Sequence, residues 1–136
     1  MKTILWKKKN TIAVLTAFIA MFLPLKGYAE IVAYGLAIAG NKVTSANCND
    51  LSKLDGVSGK VCYDPTNKVL TLQDATINTG GNINAIYSKI DGITIKIIGT
   101  NNLKSQKAAI TLMTPTTITG GGTLNAESEK DCGIFV

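Results

Sequence analysis

The chain has 136 residues, enough for one ordinary domain and too few for two. Its formal net charge of +5 sits at one end: Lys2, Lys7, Lys8, Lys9 and Lys26 fall in the first 29 residues, which contain no acid, and the remainder balances nine lysines against nine acids. A neutral remainder exerts no long-range attraction on phosphates, which argues against a nucleic-acid partner, and the absence of any Arg or His removes the bidentate anion clamp, the commonest general base and the commonest zinc ligand.

Met1 to Asn10 forms a basic head, Thr11 to Leu23 an apolar run, and Pro24 ends it. A run of about 13 residues falls short of the roughly 20 needed to cross a bilayer. Gly27-Tyr28-Ala29 then places small residues at the −3 and −1 positions ahead of Glu30. This pattern predicts a signal peptide over 1–29, cleaved between Ala29 and Glu30, and therefore export to the periplasm, cell surface or medium. The membrane is met only through this segment before cleavage. No cysteine stands near the cleavage point, so a lipid anchor is not expected.

Helical periodicity is nearly absent after residue 30, and short alternating runs bounded by Gly, Asn, Asp and Pro take its place. Ile31 to Ala39 reads as a strand, Gly40-Asn41 as a two-residue hairpin turn, and Lys42 to Ser45 as the antiparallel return. Asn47 to Leu54 is expected to make one helical turn capped by Asn47. Lys60 to Tyr63 and Lys68 to Leu72 read as strands around the turn Asp64-Pro65-Thr66-Asn67, where Pro presets φ. Residues 30–66 thus form an N-terminal hairpin and cap region.

The chain then repeats itself over 67–136. Leu70-Thr71-Leu72 is followed 23 residues later by Ile93-Thr94-Ile95, and 23 further on by Thr116-Thr117-Ile118. Ala85-Ile86-Tyr87 recurs at 24-residue steps as Ala109-Ile110-Thr111 and Gly133-Ile134-Phe135, with Ile77, Leu103 and Leu124 between the two columns. Three irregular copies predict one solenoid coil per repeat. Alternation would turn Leu72, Ile95 and Ile118 inward as one stacked column and Ile86, Ile110 and Ile134 as another, with Thr71, Thr94, Lys96 and Thr117 facing water. Clusters such as Thr79-Gly80-Gly81-Asn82 and Gly120-Gly121-Gly122 would turn the corners. The last residues, Gly133-Ile134-Phe135-Val136, fall inside the third copy with no polar cap after them. An incomplete or self-associating product through this open coil is the expectation.

The segments Val43-Thr44-Ser45-Ala46-Asn47, Tyr63-Asp64-Pro65, Ala75-Thr76-Ile77, Ala85-Ile86-Tyr87-Ser88 and Ile93-Thr94-Ile95 with Gly99-Thr100-Asn101 resemble secreted bacterial surface proteins built from right-handed parallel β-helix repeats, the type often labelled carbohydrate-binding-domain proteins. The resemblance covers roughly Tyr34 to Val136. It implies an all-β fold: a short right-handed parallel β-helix of about three coils behind the hairpin and cap region. Members are usually longer, and they bring no catalytic residues to carry over.

Catalysis, cofactor and metal are accordingly not expected. β-helical polysaccharide enzymes need carboxylates or a base gathered on one face, whereas Asp91, Asp131, Glu127 and Glu129 do not recur at matching repeat positions. The triple glycine lacks the Lys-Ser/Thr and helix of a phosphate loop. Three cysteines without His do not make a standard zinc site. Export permits disulfides, and Cys48 with Cys62 is the expected pair, leaving Cys132 facing inward beside Ala108. One column carries a candidate function. With Ile86, Ile110 and Ile134 inward, Tyr87, Thr111 and Phe135 point outward, and Tyr87 and Phe135 become candidate glycan contacts two coils, roughly 10 Å, apart. The expectation is a non-enzymatic exported surface or adhesion module contacting polysaccharide or cell-surface glycan. The alternative is the N-terminal fragment of a β-helical polysaccharide-active enzyme, or a truncated product without its own activity.

Overall fold

Side-chain alternation governs the architecture: every regular element among the described residues is a strand. The computed structural model describes residues 29–136, and Ile31–Val136 forms one compact unit. Residues 1–28, which hold nearly all of the expected signal peptide, lie outside the described residues; Ala29 and Glu30 at the expected cleavage point are exposed.

The hairpin opens the unit. Strand β1 (Ala33–Ile38) pairs antiparallel with β2 (Asn41–Thr44), with Ile38 opposite Asn41. The two-residue turn is therefore Ala39-Gly40, both at positive φ (49° and 78°), and Asn41 already belongs to the returning strand. Two consecutive positive φ values match the right-handed twist of a hairpin, so the turn falls one residue earlier than the Gly40-Asn41 expectation.

The segment after β2 is a chain of turns rather than a helix. Asn47 works backward instead of capping forward: its Oδ1 accepts the Thr44 N–H at 2.8 Å and its Nδ2 donates to the Lys42 carbonyl at 3.0 Å. The segment is pinned to β3 (Val57–Asp64), because Leu51 N–H donates to the Val61 carbonyl and Tyr63 N–H to the Cys48 carbonyl. Strand β3 turns through the Asp64 carboxylate, which accepts the Thr66 and Asn67 N–H groups, into its antiparallel partner β4 (Val69–Asn78).

From β4 onward the chain alternates between two sheets in parallel pairings. The first part of β4 pairs with β6 (Ile93–Ile98), and β6 pairs with β9 (Thr116–Thr119). The second part of β4 pairs with β7 (Thr100–Ser105), and β7 with β10 (Thr123–Ser128). In the other sheet β5 (Ile86–Ser88) pairs with β8 (Ile110–Leu112) and β8 with β11 (Ile134–Phe135). The outcome is an all-β fold with parallel strands in curled sheets, compatible with a β-helix-like arrangement.

The second expected column is in register: Ile86 lies opposite Ile110, and Ile110 opposite Ile134. The first is corrected. Leu70, not Leu72, lies opposite Ile95, which in turn lies opposite Ile118, while Leu72 faces Ile97. The step from Leu70 to Ile95 is thus 25 residues rather than 23, because the corners between the first and second copies are longer than those between the second and third. Leu70, Leu72, Ile77, Ile86, Ile93, Ile95 and Ile110 are fully buried; each such side chain contributes about 1.5–3 kcal/mol by leaving water. In the last copy Ile118 and Ile134 keep their columns but are 43% and 40% exposed, since no further strand among the described residues stacks on them.

Corner chemistry holds the stack. Asp74 adopts φ 47° and bends β4 between its two pairing partners; its Oδ1 accepts the Thr100 N–H at 3.0 Å. A Cβ at Gly99 would collide with that carboxylate, so glycine is required there. Asn101 is fully buried: its Oδ1 accepts the Ala75 N–H at 2.9 Å, and its Nδ2 donates to the Ile98 carbonyl at 2.9 Å and reaches the Thr123 carbonyl at 3.4 Å. One side chain so ties three successive copies together.

Candidate functional site

Because Ile38, Ile86 and Ile110 point into the core, their neighbours in sequence emerge on the outer face of the sheet. Strand register then lines up one outward row: Lys42 opposite Ala37, Ala37 opposite Tyr87, Tyr87 opposite Thr111, and Thr111 opposite Phe135. The structure brings the two candidate aromatics into one row with a threonine between them. Tyr87 is half-buried, and Phe135 is 53% exposed. The Thr111 hydroxyl is oriented by Asn84, whose Nδ2 donates to it at 2.9 Å and to the Ala108 carbonyl at 2.6 Å.

Beside Tyr87 the hairpin opens a groove. Between Ala33 and Ala37 the β1–β2 register shifts, with Gly35 at φ 78°; the bulge bends the strand and leaves a gap. A cavity of about 260 Å³ results, lined by Gly35, Leu36, Ala37, Val43, Tyr87 and the two lysines Lys42 and Lys89, with Ala33 completing it. The Lys89 ammonium stands 5.7 Å from the centre of the Tyr87 ring, inside the roughly 6 Å range of a cation–π contact.

Lys42, Ala37 and Lys89 did not emerge from the sequence as site residues. Two of them belong to the hairpin, which reaches Tyr87 only through the antiparallel β1–β5 pairing, and no repeat column announces that pairing.

The cysteines are placed differently from expectation. All three are free thiols. Cys48 is buried in the core, whereas Cys62 lies between the inward Val61 and Tyr63 and so projects to the opposite side of β3; the expected Cys48–Cys62 bond is not formed. Cys132 is exposed rather than inward. Its thiol is held above the ordinary range by local desolvation and by the adjacent Asp131 carboxylate. Tyr63 is likewise raised, chiefly by burial, and packs on Tyr34 at 5.5 Å between ring centres.

The acids remain apart. Glu127 pairs with Lys104 at 3.4 Å across β10 and β7, and Asp91 contributes its backbone carbonyl to the Lys68 ammonium at 3.1 Å. Among the described residues no three His, Cys, Asp or Glu side chains gather to hold a metal ion. Comparison with protein-family models, with curated proteins and with solved structures gave no match to this chain.

Proposed function

We propose that the mature domain is a short right-handed parallel β-helix of about three coils that is exported and acts without catalysis as a surface or adhesion module, contacting glycan through Tyr87 and Phe135. The observation that carries the reading is the Tyr87-Thr111-Phe135 stretch of the outward row: two aromatic rings with an oriented hydroxyl between them, at strand spacing. Two strand steps are roughly 10 Å, a separation suited to rings that stack on non-adjacent units of an extended saccharide. The basic head and short apolar run of the N-terminus support export. The resemblance to secreted bacterial β-helix surface proteins supports the same setting. The exposed Ile118, Ile134, Phe135 and Val136 on the last copy support self-association through its open edges.

The test is a titration of the purified domain against neutral oligosaccharides three to six units long. Tyr87→Ala and Phe135→Ala should each weaken binding about tenfold, the order expected for one lost aromatic stacking contact and its buried area. Thr117→Ala, which alters an exposed side chain on the other sheet, should leave affinity unchanged. Unaltered binding by both aromatic variants would remove the reading.

A further inference from the structure

The groove beside Tyr87 has a charge pattern that stacking alone does not use. Both lysines on its wall are exposed, and neither enters a salt bridge among the described residues, where the ion pairs are Lys53–Asp50 and Lys104–Glu127. No carboxylate lines the cavity; apart from the lysines its wall is aliphatic, glycine and the Tyr87 ring. Two cations without counter-ions at the rim of an apolar hollow attract an anion more strongly than the same charges in open water. The volume of about 260 Å³ lies just below the roughly 300–1,000 Å³ of a drug-sized pocket, which leaves room for one ring rather than a chain of them. Lys42 enters the row two strands from Tyr87, so the two lysines approach the hollow from opposite sides.

We propose that this groove takes a sugar ring bearing a carboxylate, a hexuronate. The ring lies on the aliphatic wall and against Tyr87, and the carboxylate is drawn between the Lys42 and Lys89 ammonium groups. The inference rests on the glycan reading above and narrows it: the row supplies stacking, and the groove selects an acidic residue of the polysaccharide. Charge-assisted hydrogen bonds to a carboxylate are about twice as strong as neutral ones, so the lysines would govern the choice between an acidic and a neutral sugar.

The experiment measures binding of trigalacturonate and trimannuronate, each beside its methyl ester, which removes the charge and keeps the ring. The expected result is at least tenfold tighter binding of one acid than of its ester at low salt, an advantage that shrinks as salt rises. Lys42→Gln and Lys89→Gln should each abolish most of that advantage, whereas Lys53→Gln should retain it. Both groove lysines are exposed, and a melting curve for each variant shows whether the fold is kept. Equal affinity for acid and ester, an acid preference that survives both substitutions, or failure to bind either acid would overturn the inference. Binding of neutral sugars that depends on Tyr87 and Phe135, together with equal affinity for acid and ester, would refute the acidic specificity alone. Absence of binding to every sugar would refute both readings.

Discussion

Asn101 offers the sharpest test of how the stack is held. Its amide is the one fully buried polar side chain that bonds to the backbone of three copies, at Ala75, Ile98 and Thr123. Asn101→Ala strands the Ala75 N–H, itself fully buried. An orphaned buried donor costs about 1–3 kcal/mol, and the freed Ile98 carbonyl adds about 1. The expected loss is therefore roughly 2–4 kcal/mol out of the 5–15 typical of a domain, or a fall in Tm on the order of 10–25 °C. Asn101→Leu separates the hydrogen bonds from the volume. The aligned residue of the last copy is Leu124, so the column tolerates that shape, and apolar burial of up to about 2 kcal/mol should offset part of the loss. Asn102→Ala is the control, because its exposed side chain bonds only to Asn125 across the surface. Urea and thermal unfolding of the three variants give the comparison. If Asn101→Ala and Asn102→Ala differed by less than about 0.5 kcal/mol, the scatter of ordinary surface changes, the buried amide would not be what joins the copies.

Ile95→Asp buries an unpaired carboxylate at a fully enclosed site and should cost several kcal/mol, enough to unfold a domain of this size, whereas Thr94→Asp, on the outer side of β6, should cost far less; equal melting curves would refute the alternation. Thiol labelling of the folded protein should modify Cys132 first and Cys48 only on unfolding, with the Cys132 rate still climbing at pH values where an ordinary thiol has levelled off. Sedimentation at rising concentration should show association that Ile118→Lys and Ile134→Lys suppress, since both place a charge on the exposed apolar edge. Protein recovered from the extracytoplasmic fraction should begin at Glu30 on N-terminal sequencing; an intact Met1 on membrane-bound material would make the leading segment an anchor.

Much of this fold was legible because short strands announce themselves by alternation. Ile86, Ile110 and Ile134 could be aligned from the chain alone because their corners keep a constant 24-residue step. Leu70 could not, because the first step carries two extra residues within corners rich in Gly, Asn and Asp, whose composition does not say where an insertion sits. The buried role of Asn101 was hidden for the same reason: beside Gly99 it reads as one more turn residue. Its signal lay in the alternation, since Asn101, Leu103 and Ser105 all take inward positions on β7. The groove was beyond sequence reasoning in a stricter sense. It depends on a bulge around Gly35 and on pairing between strands some fifty residues apart, and neither leaves a periodic trace.

The two ends of the stack differ in a way that bears on association. At the first copy, β5 is covered by β1 and β4 by β3, and both added strands run antiparallel to the rest. Their reversed direction ends the parallel ladder, and the edge of the sheet that holds β5 is β2. At the last copy the outer edges of β9, β10 and β11 carry no partner among the described residues, and the apolar columns behind them are half open. The two ends thus differ in strand direction and in the apolar surface they expose. An association that joins two last copies to each other would be isologous, and a contact of that kind closes at two subunits instead of propagating as a fibre. The hairpin at the other end is also the element that supplies Ala37 and Lys42 to the outward row. Such a pair would leave the groove beside Tyr87 free and set Phe135 next to the junction, so that two rows meet end to end and lengthen the surface offered to one polysaccharide chain.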